Sequence, residues 1–177
     1  MAKTGIYPGT FDPITYGHID VIKKSIKIVE KLIIGVSNDN SKNCLFSAEE
    51  RVEIIENSLF KDLSFKNQVI KVVSFNTLTT SFCTKHNATL IIRGLRAVSD
   101  FEYEFQLAGM NRLLNKEIET VFLMSDPDNQ VISSKFVKEI AQLNGKIHNF
   151  VTKSTEKAIR EKYGWENICY FYIYFLH

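Results

Sequence analysis

The chain has 177 residues, 45% of them hydrophobic and 24% charged, with a formal net charge of +2. That length suits a single domain with one sizeable core, and the composition is ordinary for a globular protein. So small a net charge argues against nucleic acid or an anionic membrane as partner, and leaves any anion site to a local cluster of cations.

The N-terminus reaches Pro8 and polar residues before any long apolar run, so no signal peptide is expected. "TGIY" reads as a first short strand. The turn behind it, "PGTFDPITYGH", carries more polar chemistry than a strand-to-helix connection needs. Ile19, Ile22, Ile26 and Val29 then fall on one face of a helix. "LIIGVS" (32–37) reads as a buried strand. Ser47 and Glu50 have capping-box spacing at the head of a helix running to about Leu59. "VIKVV" (69–73) is a third strand, with a short helix near 77–86, and "TLIIRG" (89–94) a fourth. Ser99 and Glu102 repeat the capping-box pattern before a helix to about Leu114. "TVFLM" (120–124) is a fifth strand. Helices follow from about Ser134 to Leu143 and near 153–163. The tail "ICYFYIYFLH" is very apolar, but about ten residues is half of what a membrane helix needs. Cys44, Cys83 and Cys169 stand far apart with no C-x-x-C pair, which speaks against a disulfide framework or a zinc site and fits a reducing cytoplasm.

Strands alternating with helices imply a doubly wound α/β domain: a five-stranded parallel sheet, helices on both faces and right-handed crossovers. In open sheets of this kind ligands bind beyond the C-terminal ends of the strands. The residues placed there are chemically consistent. After the first strand come Thr10, Phe11, Asp12 and, at the helix start, Gly17 and His18. After the second come Asn38, Asp39, Ser41 and Lys42; after the third, Asn76, Thr77 and Thr79; after the fourth, Arg93, Gly94 and Arg96. After the fifth come Ser125, Asp126 and then Ser133, Ser134 and Lys135 at a helix start. Cations, hydroxyls and helix N-termini together describe a phosphate-rich ligand site. Each element also has a plainer explanation. "PGTFDP" alone is a turn, "SSK" alone an N-cap with a solvated lysine, and the acids of "SDFEYE" complement a helix dipole. His18 alone is a surface histidine. Neither a Walker A loop nor G-x-G-x-x-G is present, and no H-E-x-x-H.

"YPGTFDPITYGHID" resembles the signature of the T/H-x-G-H nucleotidyltransferases, and "VISSKFVKEIA" their second motif, I-S-S-x-x-V-[RK]-E. With "KNCLFSAEER", "LIIRGLRAVSDFEYEFQLAGMNR" and "VFLM", residues 3 to 162 closely resemble the bacterial phosphopantetheine adenylyltransferases. The resemblance implies transfer of AMP from ATP to 4'-phosphopantetheine, giving dephospho-coenzyme A and pyrophosphate, with Mg²⁺ held mostly by phosphate oxygens and water. It implies catalytic roles for His18, Lys42 and Arg96, and acceptor binding by Thr10, Lys42, Thr79, Arg93 and Asn111. The implied ATP site takes Gly9, Thr10, Phe11, Gly17, His18, Gly94, Leu95, Arg96 and Glu104. It is completed by the segment Asn129, Gln130, Val131, Ile132, Ser133, Ser134 and Lys135. Gly9 would permit close approach of the triphosphate. The resemblance also implies a cytoplasmic homohexamer with coenzyme A as feedback ligand. Residues 1–163 form the nucleotidyltransferase domain on this reading, and 164–177 an apolar extension.

Four features depart from the family pattern: Lys135 where a third Ser or Thr is usual, Thr77 and Thr79, Gly109, and the aromatic tail. Lys135 is expected to point into the site, because a cation at a helix N-terminus is unfavourable unless an anion joins it. The helix from Phe101 carries two apolar stripes, Phe101, Phe105, Ala108 and Tyr103, Leu107, Met110, Leu114, suited to burial against its own core and a neighbouring subunit. The rival readings are a sister enzyme with another acceptor, such as nicotinamide mononucleotide or glycerol 3-phosphate, and a non-catalytic nucleotide-binding module.

Overall fold

Near-continuous apolar runs give strands that are covered on both faces. A computed structural model describes residues 3–38, 43–96 and 98–165, and for Val98 and Ser99 the backbone alone. Its strands are β1 (Thr4–Gly9), β2 (Lys31–Ser37), β3 (Ile70–Phe75), β4 (Leu90–Leu95) and β5 (Glu119–Met124). They pair in parallel in the order β3-β2-β1-β4-β5. Between them run α1 (Tyr16–Ser25), α2 (Ala48–Glu56), α3 (Thr79–Lys85) and α4 (Val98–Leu114), and after β5 follow α5 (Pro127–Gln130), α6 (Ser134–Gln142) and α7 (Lys153–Tyr163).

Period-two alternation sorts the strand residues into two layers. Tyr7, Leu32, Ile34, Val36, Leu90 and Ile92 pack against Ile19 and Ile22 of α1, Ile54 and Ile55 of α2, Val137 of α6 and Ile159 of α7. Ile6, Ile33 and Ile91 face the other way, onto Phe82 and Cys83 of α3. Strand order reverses between β1 and β4, where pairing is limited to Gly5 with Leu90 and Ile6 with Ile91. Beyond that short ladder the two strands no longer pair, and a crevice opens at their C-terminal ends, the place where such sheets bind ligands.

The Ser47–Glu50 box forms: Glu50 N–H donates to Ser47 Oγ at 3.2 Å and Ser47 N–H to Glu50 Oε2 at 2.7 Å. Thr152 caps α7, and Gly164, at φ 70°, ends it. Three expectations need correction. The α2 helix stops at Glu56 and widens into a π-helical turn over Asn57–Asp62, where the Ser58 hydroxyl meets Thr152 and Thr155 beside α7. Ile26 and Val29 lie past the end of α1. Helix α4 already begins at Val98, so Ser99 lies inside its first turn and is not the N-cap. A single turn, α5, is too short to show periodicity in sequence.

The apolar stripes of α4 also behave differently from expectation. Its buried residues include Glu104 and Asn111, while Phe101, Tyr103, Phe105, Met110, Leu113 and Leu114 are exposed within one chain. The helix turns a polar side toward the crevice and leaves both apolar stripes largely uncovered. Lys42 and residues 166–177 of the tail lie outside the described residues.

Candidate active site

The turn after β1 is the hub of the crevice. Phe11 takes a left-handed backbone at φ 51°, which is costly for a bulky residue. Its ring compensates by packing edge-on to Tyr7, with centroids 5.3 Å apart, and against His18 at 5.0 Å. Gly9 is required by the same packing, because a Cβ there would lie 2.9 Å from the Phe11 ring. The expected close approach of backbone to triphosphate is therefore not the only reason for glycine.

Asp12 ties the turn to two other elements. Its carboxylate accepts the N–H groups of Leu45 and Phe46 at 2.9 and 3.0 Å and pairs with Lys138 Nζ at 2.6 Å. Ser134 Oγ donates to Pro13 O at 2.7 Å, and Ser133 Oγ caps α6 by accepting Phe136 N–H. Arg51, buried at the start of α2, donates to Thr10 O at 2.7 Å and Ser37 O at 2.9 Å, and also to Phe46 O and Ser47 O. One arginine thus fastens the ends of β1 and β2 to the head of α2.

His18 stands in the first turn of α1. The Thr15 backbone N–H donates to its Nδ1 at 3.1 Å, so Nδ1 is the unprotonated nitrogen and Nε2 carries the hydrogen. Burial, and after it the Arg96 and Arg93 guanidiniums, lower its pKa from the usual 6.5 to about 4. The ring is a neutral donor at pH 7. Burial likewise pushes the Tyr7 phenol upward, keeping it protonated.

The cations lining the crevice among the described residues are paired. Arg93 holds Glu104 through Nε and Nη2 at 2.7 and 2.5 Å, and its Nη1 donates to Pro8 O at 2.7 Å. Arg96 holds Asp100 at 3.1 Å, and Lys138 holds Asp12. Among the described residues that line the crevice, three cations face three carboxylates, so any incoming anion would compete with Asp12, Asp100 and Glu104 for the same donors.

The cavity measures about 460 Å³. Its walls include Gly9, Thr10, Phe11, Gly17, His18, Arg93, Gly94, Arg96, Glu104, Ile132, Ser133 and Ser134 of the expected residues. Others lie elsewhere. Thr79 heads α3 beyond β3, and Asn111 is buried on α4. Leu95 is buried, and Asn129, Gln130 and Val131 do not line the cavity, Val131 being 75% exposed. Lys135 is a correction: its side chain is 80% exposed and sits 3.9 Å from Glu139, one turn on. The face of α6 that meets the crevice carries Ser134 and, four residues later, Lys138; Lys135 lies about 100° round the helix. Lys138 was legible as the [RK] of the second motif, and Asp12 as a rim residue, yet their pairing across 126 positions had no local signal. Tyr7 and Arg51 were not singled out in sequence; Ser125 was named only as a rim residue, and Asp100 only among the acids that complement a helix dipole.

The family described as cytidylyltransferase-like matches residues 6–140. The chain is 60% identical over 163 residues to a phosphopantetheine adenylyltransferase of Pelagibacter ubique (strain HTCC1062), covering 92% of this chain and 99% of that one. It is 49% identical over 157 residues to that of Sphingopyxis alaskensis, covering 89% and 91%. Among solved structures, a putative nicotinate-nucleotide adenylyltransferase from Vibrio parahaemolyticus superposes with a TM-score of 0.70 over 92% of this chain and 95% of that one, at 14% identity, a likeness of fold. Sequence similarity of this extent, on a parallel sheet whose crevice holds the T/H-x-G-H histidine, places the chain in the phosphopantetheine adenylyltransferase family.

Proposed function

We propose that the protein transfers AMP from ATP to 4'-phosphopantetheine, releasing pyrophosphate and dephospho-coenzyme A. The observation that carries this reading is His18, a neutral donor at a helix start in a cavity walled by Arg93 and Arg96. The acceptor phosphate is already anionic and attacks the α-phosphorus in line, so no protein nucleophile is needed. What the reaction requires is charge accommodation. His18 Nε2–H donates to phosphate oxygens as negative charge moves toward pyrophosphate. Arg96 is assigned to the ATP phosphates and Arg93 with Lys42 to the acceptor phosphate. Asp100 and Glu104 hold the two guanidiniums extended until phosphates take over their hydrogen bonds.

Mg²⁺ belongs to this proposal as the companion of ATP. Among the described residues no cluster of three or more His, Cys, Asp or Glu side chains offers it a protein cage. Asp12, the carboxylate at the turn, is committed to Lys138 and two N–H groups. The ion would therefore be held chiefly by phosphate oxygens and water, which suits its reluctance to dehydrate.

A homohexamer with coenzyme A as feedback ligand completes the reading. The uncovered apolar residues of α4 support assembly, since monomers rarely expose patches of that kind. Sedimentation should give a species of about six chains; a monomer at micromolar concentration would contradict it. Among the described residues no helix is long and apolar enough to cross a membrane, and we place the protein in the cytoplasm. The test of function is incubation with ATP, Mg²⁺ and a panel of acceptors. Turnover with nicotinamide mononucleotide or glycerol 3-phosphate instead would favour a sister enzyme.

A further inference from the structure

Ser125 Oγ is the buried side-chain polar atom that lacks a hydrogen-bond partner among the described residues. The residue follows β5, is 4% exposed and lines the cavity. Buried hydroxyls are nearly always paired, and an unpaired one opposes folding, so this one calls for a function. Its backbone is fully committed. The Ser125 N–H donates to Leu95 O at 2.9 Å, and its carbonyl accepts from Gln130 Nε2 at 3.2 Å.

The residues on either side are gripped from α1, the helix that carries His18. Lys24 Nζ donates to Met124 O at 2.7 Å, to Asp126 Oδ1 at 2.7 Å and to Asp20 Oδ2 at 2.9 Å. The Asp126 N–H donates to the same Asp20 oxygen at 2.9 Å. Ser125 is therefore held in fixed relation to His18, with only its side chain free to choose a partner. Because the residue lines the cavity, a turn about χ1 between staggered wells can redirect Oγ toward a ligand there without moving that backbone.

The position narrows the ligand. Donors for phosphate gather at Thr10, His18, Arg93 and Arg96. Toward β5 the wall is Val21, Gly94, Ile132 and Ser125, small or apolar surfaces suited to a nucleoside. We propose that the Ser125 hydroxyl is a specificity contact for the nucleoside half of the nucleotide, bonding a ribose hydroxyl or a polar edge of the base; this rests on ATP being a substrate. A site built around such a hydrogen bond rejects analogues that lack its partner.

Ser125→Ala tests this with two readouts of opposite sign. The ligand-free variant should melt about 2–4 °C higher, because a buried unpaired hydroxyl is gone. Its affinity for ATP should fall roughly three- to tenfold, the worth of one neutral hydrogen bond, with affinity for 4'-phosphopantetheine unchanged. Calorimetry with ATP, 2'-deoxy-ATP, 3'-deoxy-ATP and inosine triphosphate separates ribose from base: the wild type should discriminate against one analogue, and Ser125→Ala should lose that discrimination. A variant that melts lower and binds ATP as well as the wild type would overturn the inference alone. So would an equal loss of affinity for both substrates. A wild type that binds none of these nucleotides would overturn the proposed reaction as well.

Discussion

His18→Ala removes one neutral donor from the place where charge develops. With Nδ1 occupied by the Thr15 N–H at 3.1 Å, the lost group is Nε2–H. A pKa near 4 leaves about a thousand neutral rings for each charged one at pH 7. Loss of a comparable preorganised donor costs about 10²- to 10³-fold in turnover, or about 3–4 kcal/mol of barrier. The structural penalty is smaller. Thr15 N–H loses its acceptor and Phe11 one ring neighbour at 5.0 Å, together about 1–2 kcal/mol of stability. Pyrophosphate release at saturating ATP and acceptor should therefore drop by the larger factor while ATP still binds. A donor that is already neutral also needs no deprotonation between pH 5 and 8, so kcat/KM should show no acidic limb that belongs to His18. A kcat within threefold of wild type would refute the assignment. An acidic limb near pH 6.5 that vanishes in His18→Ala would make the residue a general base instead.

Three further outcomes follow from the same geometry. The folded pKa of His18 lies below its unfolded value, so the unfolded chain takes up a proton between pH 6.5 and 4 that the folded chain does not; stability is complete above pH 6.5 and falls by up to about 3 kcal/mol toward pH 4. Urea unfolding at pH 7.5 and 4.5 should show this loss, and His18→Gln should reduce it. Lys138→Met should cost about 1–2 kcal/mol, since it leaves the buried Asp12 carboxylate with only its two N–H donors, and should raise the KM for ATP; Lys135→Ser should change that KM less than twofold, and the reverse ranking in steady-state kinetics would contradict the orientation of α6. Gly94→Ala puts a Cβ 2.7 Å from Val21 Cγ2 beneath the nucleotide wall, so chemical melts should show a loss of about 1–3 kcal/mol and ATP binding should weaken; an unaffected variant would mean that α1 yields more readily than its packing implies.

The sheet was legible because its signal is local: each strand is a short apolar run bounded by polar rim residues, and the described strands match the expected ones to within two residues. The rim rule brought Thr10, His18, Arg93, Arg96 and Ser134 to one cavity without any knowledge of contacts. What sequence could not carry was pairing. Lys135 looked like the phosphate-facing lysine because a cation at a helix start needs an anion, yet Glu139 on the same helix supplies one and Lys138 takes the inward face. The α4 stripes looked like core because they are apolar, but the face meeting the crevice is set by Arg93, which draws Glu104 inward and leaves the aromatic residues outside. Arg51 gave no local sign, and Asp12, though legible on the rim, gave none of its partners, because Thr10 O and Ser37 O for the one, and Leu45 N–H, Phe46 N–H and Lys138 for the other, are brought close only by the fold.

The most direct test of the account is the product formed from ATP, Mg²⁺ and 4'-phosphopantetheine. The account predicts dephospho-coenzyme A and pyrophosphate in equal amounts, with little or no turnover when nicotinamide mononucleotide, nicotinate mononucleotide or glycerol 3-phosphate replaces the acceptor. Comparable turnover with one of those acceptors, or nucleotide binding with no pyrophosphate released from any, would contradict it.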